Sequence, residues 1–173
     1  MRRSRFSGAS PSQKPPEVLR RSARKRERLK VDPKTSDRMR GVRRFGTRPE
    51  LALRRWLWRA GFRFRCGNRD LPGTPDIVNR ANKWAIFVHG CFWHGHRGCR
   101  AASVPKRNRD FWLKKIADNK RRDARKARAL RKLGFCVTTV WECRIKILER
   151  QGDVDLSDTF VATLRRPRRT AEV

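Results

Sequence analysis

At 173 residues the chain has room for one compact domain plus unstructured ends, and its formal charge of +31, from 47 Lys and Arg against 16 Asp and Glu, far exceeds what solubility requires. Such an excess implies a polyanionic partner, nucleic acid ahead of membrane surface: no apolar run approaches the roughly 18 residues of a spanning helix, and MRRSRFSGAS leads into no signal-peptide core. Five cysteines without a secretory signal argue against a disulfide framework and for metal ligation or burial in a soluble intracellular protein.

From Met1 to about Lys30 the chain is Arg-rich, is broken by Pro11, Pro15 and Pro16, and shows no regular apolar period, so residues 1–31 read as a basic arm unable to fold alone. Residues 32–150 form the expected globular domain. Within it Thr47 and Glu50 make a capping-box pattern with Pro49 in the first turn, and Leu53, Trp56, Leu57 and Ala60 follow at helical spacing until Gly61. Phe62, Phe64 and Cys66 alternate with arginines, which predicts a strand with one buried face. The loop GNRDLPGTPD is dense in turn residues; Ile77, Val78 and then WAIFVHG from Trp84 predict two strands joined through NRAN. From Asp110 to Leu133 a Lys-, Arg- and Ala-rich segment predicts a long helix with Ile116, Ala127, Leu130 and Leu133 on one face, ended by Gly134. Phe135 to Trp141 predicts a strand reached by a helical crossover, and the class is therefore α/β, a mixed β-sheet flanked by helices. Residues 151–173, ending LRRPRRTAEV, read as a basic C-terminal tail, with Val161 and Leu164 suited to a short helix.

All three histidines, His89, His94 and His96, fall within eight residues, with Cys91 and Cys99 flanking the last two in GCFWHGHRGC. A Cys, a His and a Cys at this spacing supply three ligands of a tetrahedral zinc, and Cys143, just beyond the strand ending at Trp141, is the best-placed fourth. The spacing admits either His94 or His96 as the histidine. Four protein ligands would close the zinc to water and make it structural, so the chemistry would lie beside it. With His96 in the ligand set, His94 is a free imidazole able to act as general base for water attacking a phosphate. Cys66 and Cys136, in apolar surroundings, read as buried thiols.

A phosphodiester cleaved by water needs a hard cation held by carboxylates, Mg²⁺ in the usual case. Asp76, at the start of a strand in PGTPD, projects beside the end of the next strand, which carries His89; standing alone it would be an ordinary strand-initiating aspartate. Glu50 reads as a helix cap with a weaker second role at the metal. Phe92 and Trp93, in a loop between the zinc ligands, suit wedging between base pairs, while Trp112 fits that role and core packing equally well. Trp56, Trp58, Trp84 and Trp141 are expected in the core or at its margin, and the Lys/Arg face of the long helix is expected on phosphates.

PGTPDIV, FVHGCFWHGHRGC, FWLKKIADNKRRD and VWEC, in this order and at these separations, resemble the very short patch repair (Vsr) DNA mismatch endonucleases over about Thr35 to Cys143. The resemblance implies a restriction-endonuclease-like core with a structural zinc site. It implies that Asp76 binds Mg²⁺, that His94 acts near the attacking water, that Glu50 and His89 support the metal site and that Asp123 orients a histidine. It further implies zinc on Cys91, His96, Cys99 and Cys143, and intercalation by Phe92, Trp93 and Trp112. Lys115 and Asn119 match positions contacting the mismatched bases, and Met39 lies in the counterpart of an N-terminal segment packed on the DNA from the other groove. Two departures stand out. Val88 replaces a threonine of a relative, leaving only its main-chain carbonyl as an Mg²⁺ ligand, and two residues rather than one separate His96 from Cys99.

The expected function is thus a Mg²⁺-dependent endonuclease, monomeric and cytoplasmic on the nucleoid, that nicks one strand of double-stranded DNA beside a T:G mismatch and leaves a 5′ phosphate for repair synthesis. Composition alone equally supports a noncatalytic, zinc-stabilised nucleic-acid-binding protein; the presence of both Asp76 and His94 argues for the enzyme. A catalytic-zinc hydrolase or deaminase is disfavoured, since there is neither an HExxH pattern nor a Glu two residues after a ligand histidine.

Overall fold

A computed structural model describes residues 33–43, 45–151 and 164. The arm expected over 1–31, and the tail beyond Gln151 apart from Leu164, lie outside the described residues. In chain order the elements are α1 (Pro33–Arg40), α2 (Arg48–Arg59), β1 (Ile77–Asn79), β2 (Trp84–His89), α3 (Cys91–His94), α4 (Arg109–Lys132), β3 (Cys136–Trp141) and α5 (Glu142–Gln151), with a 3-10 turn at Arg100–Ala102.

The sheet is mixed, in the order β1-β2-β3, and helices pack on both of its faces. β1 runs antiparallel to β2 with Ile77 opposite Ile86, and the reversal between them is tied by the Asn82 N–H donating to Asn79 Oδ1 at 2.7 Å. β3 lies parallel to β2, His89 opposite Trp141, which requires the long crossover that α4 provides. Side chains alternate across β2 and so sort its residues between two cores. Trp84 and Ile86 join Leu53 and Leu57 of α2, Ile145 of α5, Val140 and Leu164 on one side, with Val88 packed against them. Ala85 and Phe87 join Val78, Leu130 and Phe135 on the side facing α4. His89 follows in that second row, and this parity delivers it to the α4 side. Each fully buried Leu or Ile contributes roughly 1.5–3 kcal/mol.

The predicted helices are present, over 48–59 and 109–132, and the predicted strands lie at 77–79, 84–89 and 136–141. Several local expectations are corrected. Residues 62–66 form no strand: Arg65 alone bridges to Val78, because β1 is three residues long and offers little edge, and the segment follows Phe62, which packs edge-on to Trp84 at 6.3 Å. Cys66 and Cys136 are exposed rather than buried. Leu133 is 50% exposed, since the helix ends before it, and Trp58 is 58% exposed beneath the Arg63 guanidinium, 4.4 Å from its ring. Phe92 and Trp93 lie in the helical turn α3, not a loop. Helix α1, eight residues with Met39 as its only large apolar side chain, carries no periodic signal that sequence reasoning could use. Among the described residues no helix is long and apolar enough to cross a membrane.

Candidate active site

Gly95 decides the arrangement of the three histidines. It caps α3 at φ 59°, and a Cβ there would lie 2.5 Å from Ile116 Cγ2 and 2.8 Å from Lys120 Cε, so the turn needs both the left-handed conformation and the missing side chain. The reversal sends the imidazoles on either side of it to different partners. His96 stacks flat on Trp141, centroids 4.1 Å apart, and turns Nδ1 toward Cys91 Sγ at 3.5 Å and Cys143 Sγ at 3.4 Å. His94 turns its own Nδ1 to Asp123 Oδ2 at 2.5 Å.

Cys91, His96, Cys99 and Cys143 bring one donor atom each within 4.8 Å of one another. With ordinary zinc–sulfur and zinc–nitrogen bonds, a tetrahedral centre has S···N edges of about 3.5 Å, which is the separation observed. The alternative left open by spacing, His94 as the ligand, places that residue away from the cysteines. Burial pushes the Cys91 thiol up to about 12, whereas the Ala101 main-chain N–H holds Cys99 below the usual thiol range.

The second cluster is His89, His94 and Asp123. The two imidazoles stack at 3.8 Å with 12° between planes. Burial first, and then the neighbouring His94, depress His89 to about 4, so it is a neutral ring near pH 7. For Asp123 burial acts upward, but the hydrogen bond and charge of His94 outweigh it and leave the carboxylate below its ordinary value. An ionised Asp123 only accepts, so His94 Nδ1 carries the donated proton and Nε2 is the nitrogen left to take another.

Asp76 ends the PGTPD loop just before β1. Its N–H donates to the Ile86 carbonyl at 3.1 Å, and its Oδ2 accepts the Val88 N–H at 2.7 Å. Burial raises this carboxyl to about 6; the Val88 N–H, Arg54 and His94 pull it down while Glu50 pushes it up. In extended backbone the N–H and C=O of one residue point to the same side, so the Val88 carbonyl faces the Asp76 side of β2. That pairing of a carboxylate with a main-chain oxygen is an all-oxygen set of the kind Mg²⁺ takes. Glu50, 4% exposed, accepts from Gly46 N–H at 2.9 Å, from Thr47 Oγ1 at 2.8 Å and from Arg54 Nη2 at 3.1 Å. The Thr47 hydroxyl thus bonds Glu50 and not the helix backbone, and Glu50 is foremost a cap.

A cleft of about 780 Å³ is lined by Met39, Glu50, Val88, Trp93, His94, Trp112, Lys115, Asn119 and Asp123, all selected from sequence, but not by Asp76 or His89. Phe92 stands behind, edge-on to Trp93 and Trp112 at 5.2 Å each. Asn119 is less free than expected: its amide donates to the Trp93 carbonyl at 2.7 Å and accepts from Arg122. Sequence reasoning missed Arg122, Arg54, Phe111 and Lys126. Arg54 lies i+4 from Glu50 and Arg122 i+3 from Asn119, spacings that helical periodicity makes available. Phe111 reaches Trp112 edge-on at 5.2 Å and lines the cleft.

The family model described as DNA mismatch endonuclease Vsr matches residues 30–100. The chain is 50% identical over 110 residues to the type II nicking enzyme V.XorIIP of Xanthomonas oryzae pv. oryzae, covering 64% of this chain and 80% of that protein. It is 46% identical over 100 residues to the type II nicking enzyme V.NmeAIP of Neisseria meningitidis, covering 58% and 71%. To the DNA mismatch endonuclease Vsr of Escherichia coli it is 39% identical over 123 residues, covering 71% and 78%.

Proposed function

The chain belongs to the Vsr family of DNA mismatch endonucleases and is a DNA endonuclease; from that premise we propose that it nicks one strand of duplex DNA beside a T:G mismatch, with Mg²⁺ at Asp76 and the Val88 carbonyl. The observation that carries the reading is the convergence of the Asp76–Val88 pair and the His94–Asp123 pair at one end of β2, beside a cleft edged by aromatic rings. Mg²⁺, when bound, neutralises charge developing on the scissile phosphate and positions the attacking oxygen.

The chain's own residues do the rest. His94, oriented through Nδ1 by Asp123, accepts the proton of the attacking water at Nε2. His89, neutral and stacked on His94, holds that ring in place without adding a competing charge. Glu50 caps α2 and sets the field at Asp76. Phe92, Trp93 and Trp112 form a wedge that opens the helix where unstacking is cheapest, at a mismatched step, at a cost of a few kcal/mol that other contacts offset. Lys115 and Asn119 read the exposed bases, Asn119 also tying the wedge to α4, and Met39 approaches from the far groove. Cys91, His96, Cys99 and Cys143 hold a structural Zn²⁺ within a restriction-endonuclease-like core, and the protein works as a monomer in the cytoplasm on the nucleoid.

End-labelled duplexes differing by one T:G or T:A pair, incubated with and without Mg²⁺ and with an Asp76→Ala control, test this. A single nick beside the mismatched T that needs both Mg²⁺ and Asp76 is the expected result. Equal nicking of the T:A duplex would overturn the mismatch assignment, and undiminished nicking by the variant would overturn the metal site.

A further inference from the structure

The sheet face that meets α4 changes character along its length. At one end Ala85, Phe87, Leu130 and Phe135 close an apolar cluster. At the other the face carries His89, Thr139 and Trp141, and across from them α4 lines the space with Lys120, Asp123, Ala124, Lys126, Ala127 and Arg131. The methyl groups of Ala124 and Ala127 leave the middle of that span unfilled, and a solvent-open cavity of about 630 Å³ remains between helix and sheet.

Lys120, Ala124, Ala127 and Arg131 follow one another by four, three and four residues, so they share one helix face, with a cation at each end of an alanine floor. Lys126 and Arg97 also line the cavity, and its single carboxylate, Asp123, is engaged by His94 and lies 4.0 Å from Lys126 Nζ. Lys120 is laid across the Gly95 turn, where a Cβ would meet its Nζ at 3.0 Å. The walls include Trp141, His96 and Phe87, while Arg97, Lys120, Arg131 and Thr139 around them are solvent-exposed. His94, Asp123 and Lys126 line both this cavity and the cleft, so the two spaces lie back to back across the His94–Asp123 pair.

We propose that this cavity is a phosphate-binding site, built for a phosphate monoester or the free anion and separate from the cleft in which the strand is cut. A monoester carries about −1.5 to −2 near neutral pH, more than a backbone diester, and suits four cations facing one committed carboxylate. The nicked strand supplies such a group at its 5′ end, a source that rests on the function proposed above; inorganic phosphate supplies the same chemistry without it. Holding the new 5′ end here keeps the product on the enzyme.

The first arm is calorimetric titration of inorganic phosphate into the full-length protein at fixed ionic strength, with chloride as blank. Binding by the unaltered protein, weakened about tenfold or more in a Lys120→Gln/Arg131→Gln variant, is expected. Ala127→Leu fills the cavity without changing charge and is expected to weaken binding equally, and thermal melting of each variant shows that it folds. Absence of binding, or the same affinity in the double variant, would overturn the proposal. The second arm compares nicked duplexes ending in 5′-phosphate or 5′-hydroxyl by anisotropy. A preference for the phosphorylated end that vanishes in the double variant identifies DNA as the source, whereas phosphate binding without it identifies the free anion. Failure to nick a T:G duplex would remove the functional reading and leave the result of the first arm standing.

Discussion

His94 Nδ1 lies 2.5 Å from Asp123 Oδ2, although the two residues are 29 apart in the chain. The contact joins the turn after β2 to the middle of α4 and fixes which imidazole nitrogen faces the chemistry. Asp123→Asn removes the charge that favours this tautomer while keeping the shape. The expected outcome is a fall in kcat on the order of 10²-fold, with KM changed only a few-fold. Single-turnover nicking measures it, and a KM effect without a kcat effect would assign Asp123 to DNA binding instead.

Asp76 places stability and activity in opposition. Its folded value, about 6, lies above the ordinary 3.8 because burial disfavours the ionised form. The resulting penalty is absent below the unfolded value, grows as pH rises, and is complete above about 6. Asp76→Asn, which never ionises, should therefore be more stable than the parent by about 2–3 kcal/mol at pH 8 without Mg²⁺, the gap closing toward pH 4. Thermal melts across pH read this directly, and the same variant should not nick. A variant no more stable at pH 8 would show that solvent or a bound ion already offsets the buried charge.

Replacing one member of the sulfur-rich cluster separates structure from catalysis. Cys143→Ser should lower bound zinc, measured by mass spectrometry of the metal, and destabilise the fold by about 3 kcal/mol or more. His94→Ala should keep full zinc content while losing cleavage, because that ring pairs with Asp123. Loss of zinc in the His94 variant would move this histidine into the ligand set.

Gly73 sits against the root of Lys126: a Cβ at position 73 would lie 2.6 Å from Lys126 Cγ and 2.7 Å from its Cβ, and the residue has φ 79°. Neither obstacle is a flexible tip that can swing aside. Gly73→Ala should cost about 2 kcal/mol or more and displace the loop that delivers Asp76, lowering kcat. In a double-mutant cycle Lys126→Ala should recover part of the stability loss by removing the Cγ and Cδ contacts, leaving the Cβ contact and the backbone strain. Purely additive losses would place the cost in the backbone and the remaining Cβ contact.

Legibility followed chain separation. The pattern from Asp110 to Leu133 and the apolar run WAIFVHG read correctly as helix and strand because burial and period are local properties of those segments. The alternation at Phe62, Phe64 and Cys66 misled, since a strand exists only where an edge accepts it, and β1 offers three residues. Cys136 opens β3 at an exposed position, which an apolar neighbourhood in sequence does not reveal.

By itself the sequence determined the α/β class, the basic charge and the gathering of three histidines and two cysteines into one short stretch, because these depend on composition, period and neighbours along the chain. It also placed Asp76 at a strand entry and, by resemblance, supplied the residues proposed for a nuclease centre. Only the tertiary structure decided that His96 joins Cys91, Cys99 and Cys143 while His94 goes to Asp123, that Asn119 and Arg122 brace Trp93, and that α4 leaves a cationic cavity against the sheet. The reason is geometric. The left-handed turn at Gly95, the alternation of side chains along β2 and the crossover that lays α4 on one face set directions in space, and spacing along a chain carries no direction until the partners are packed.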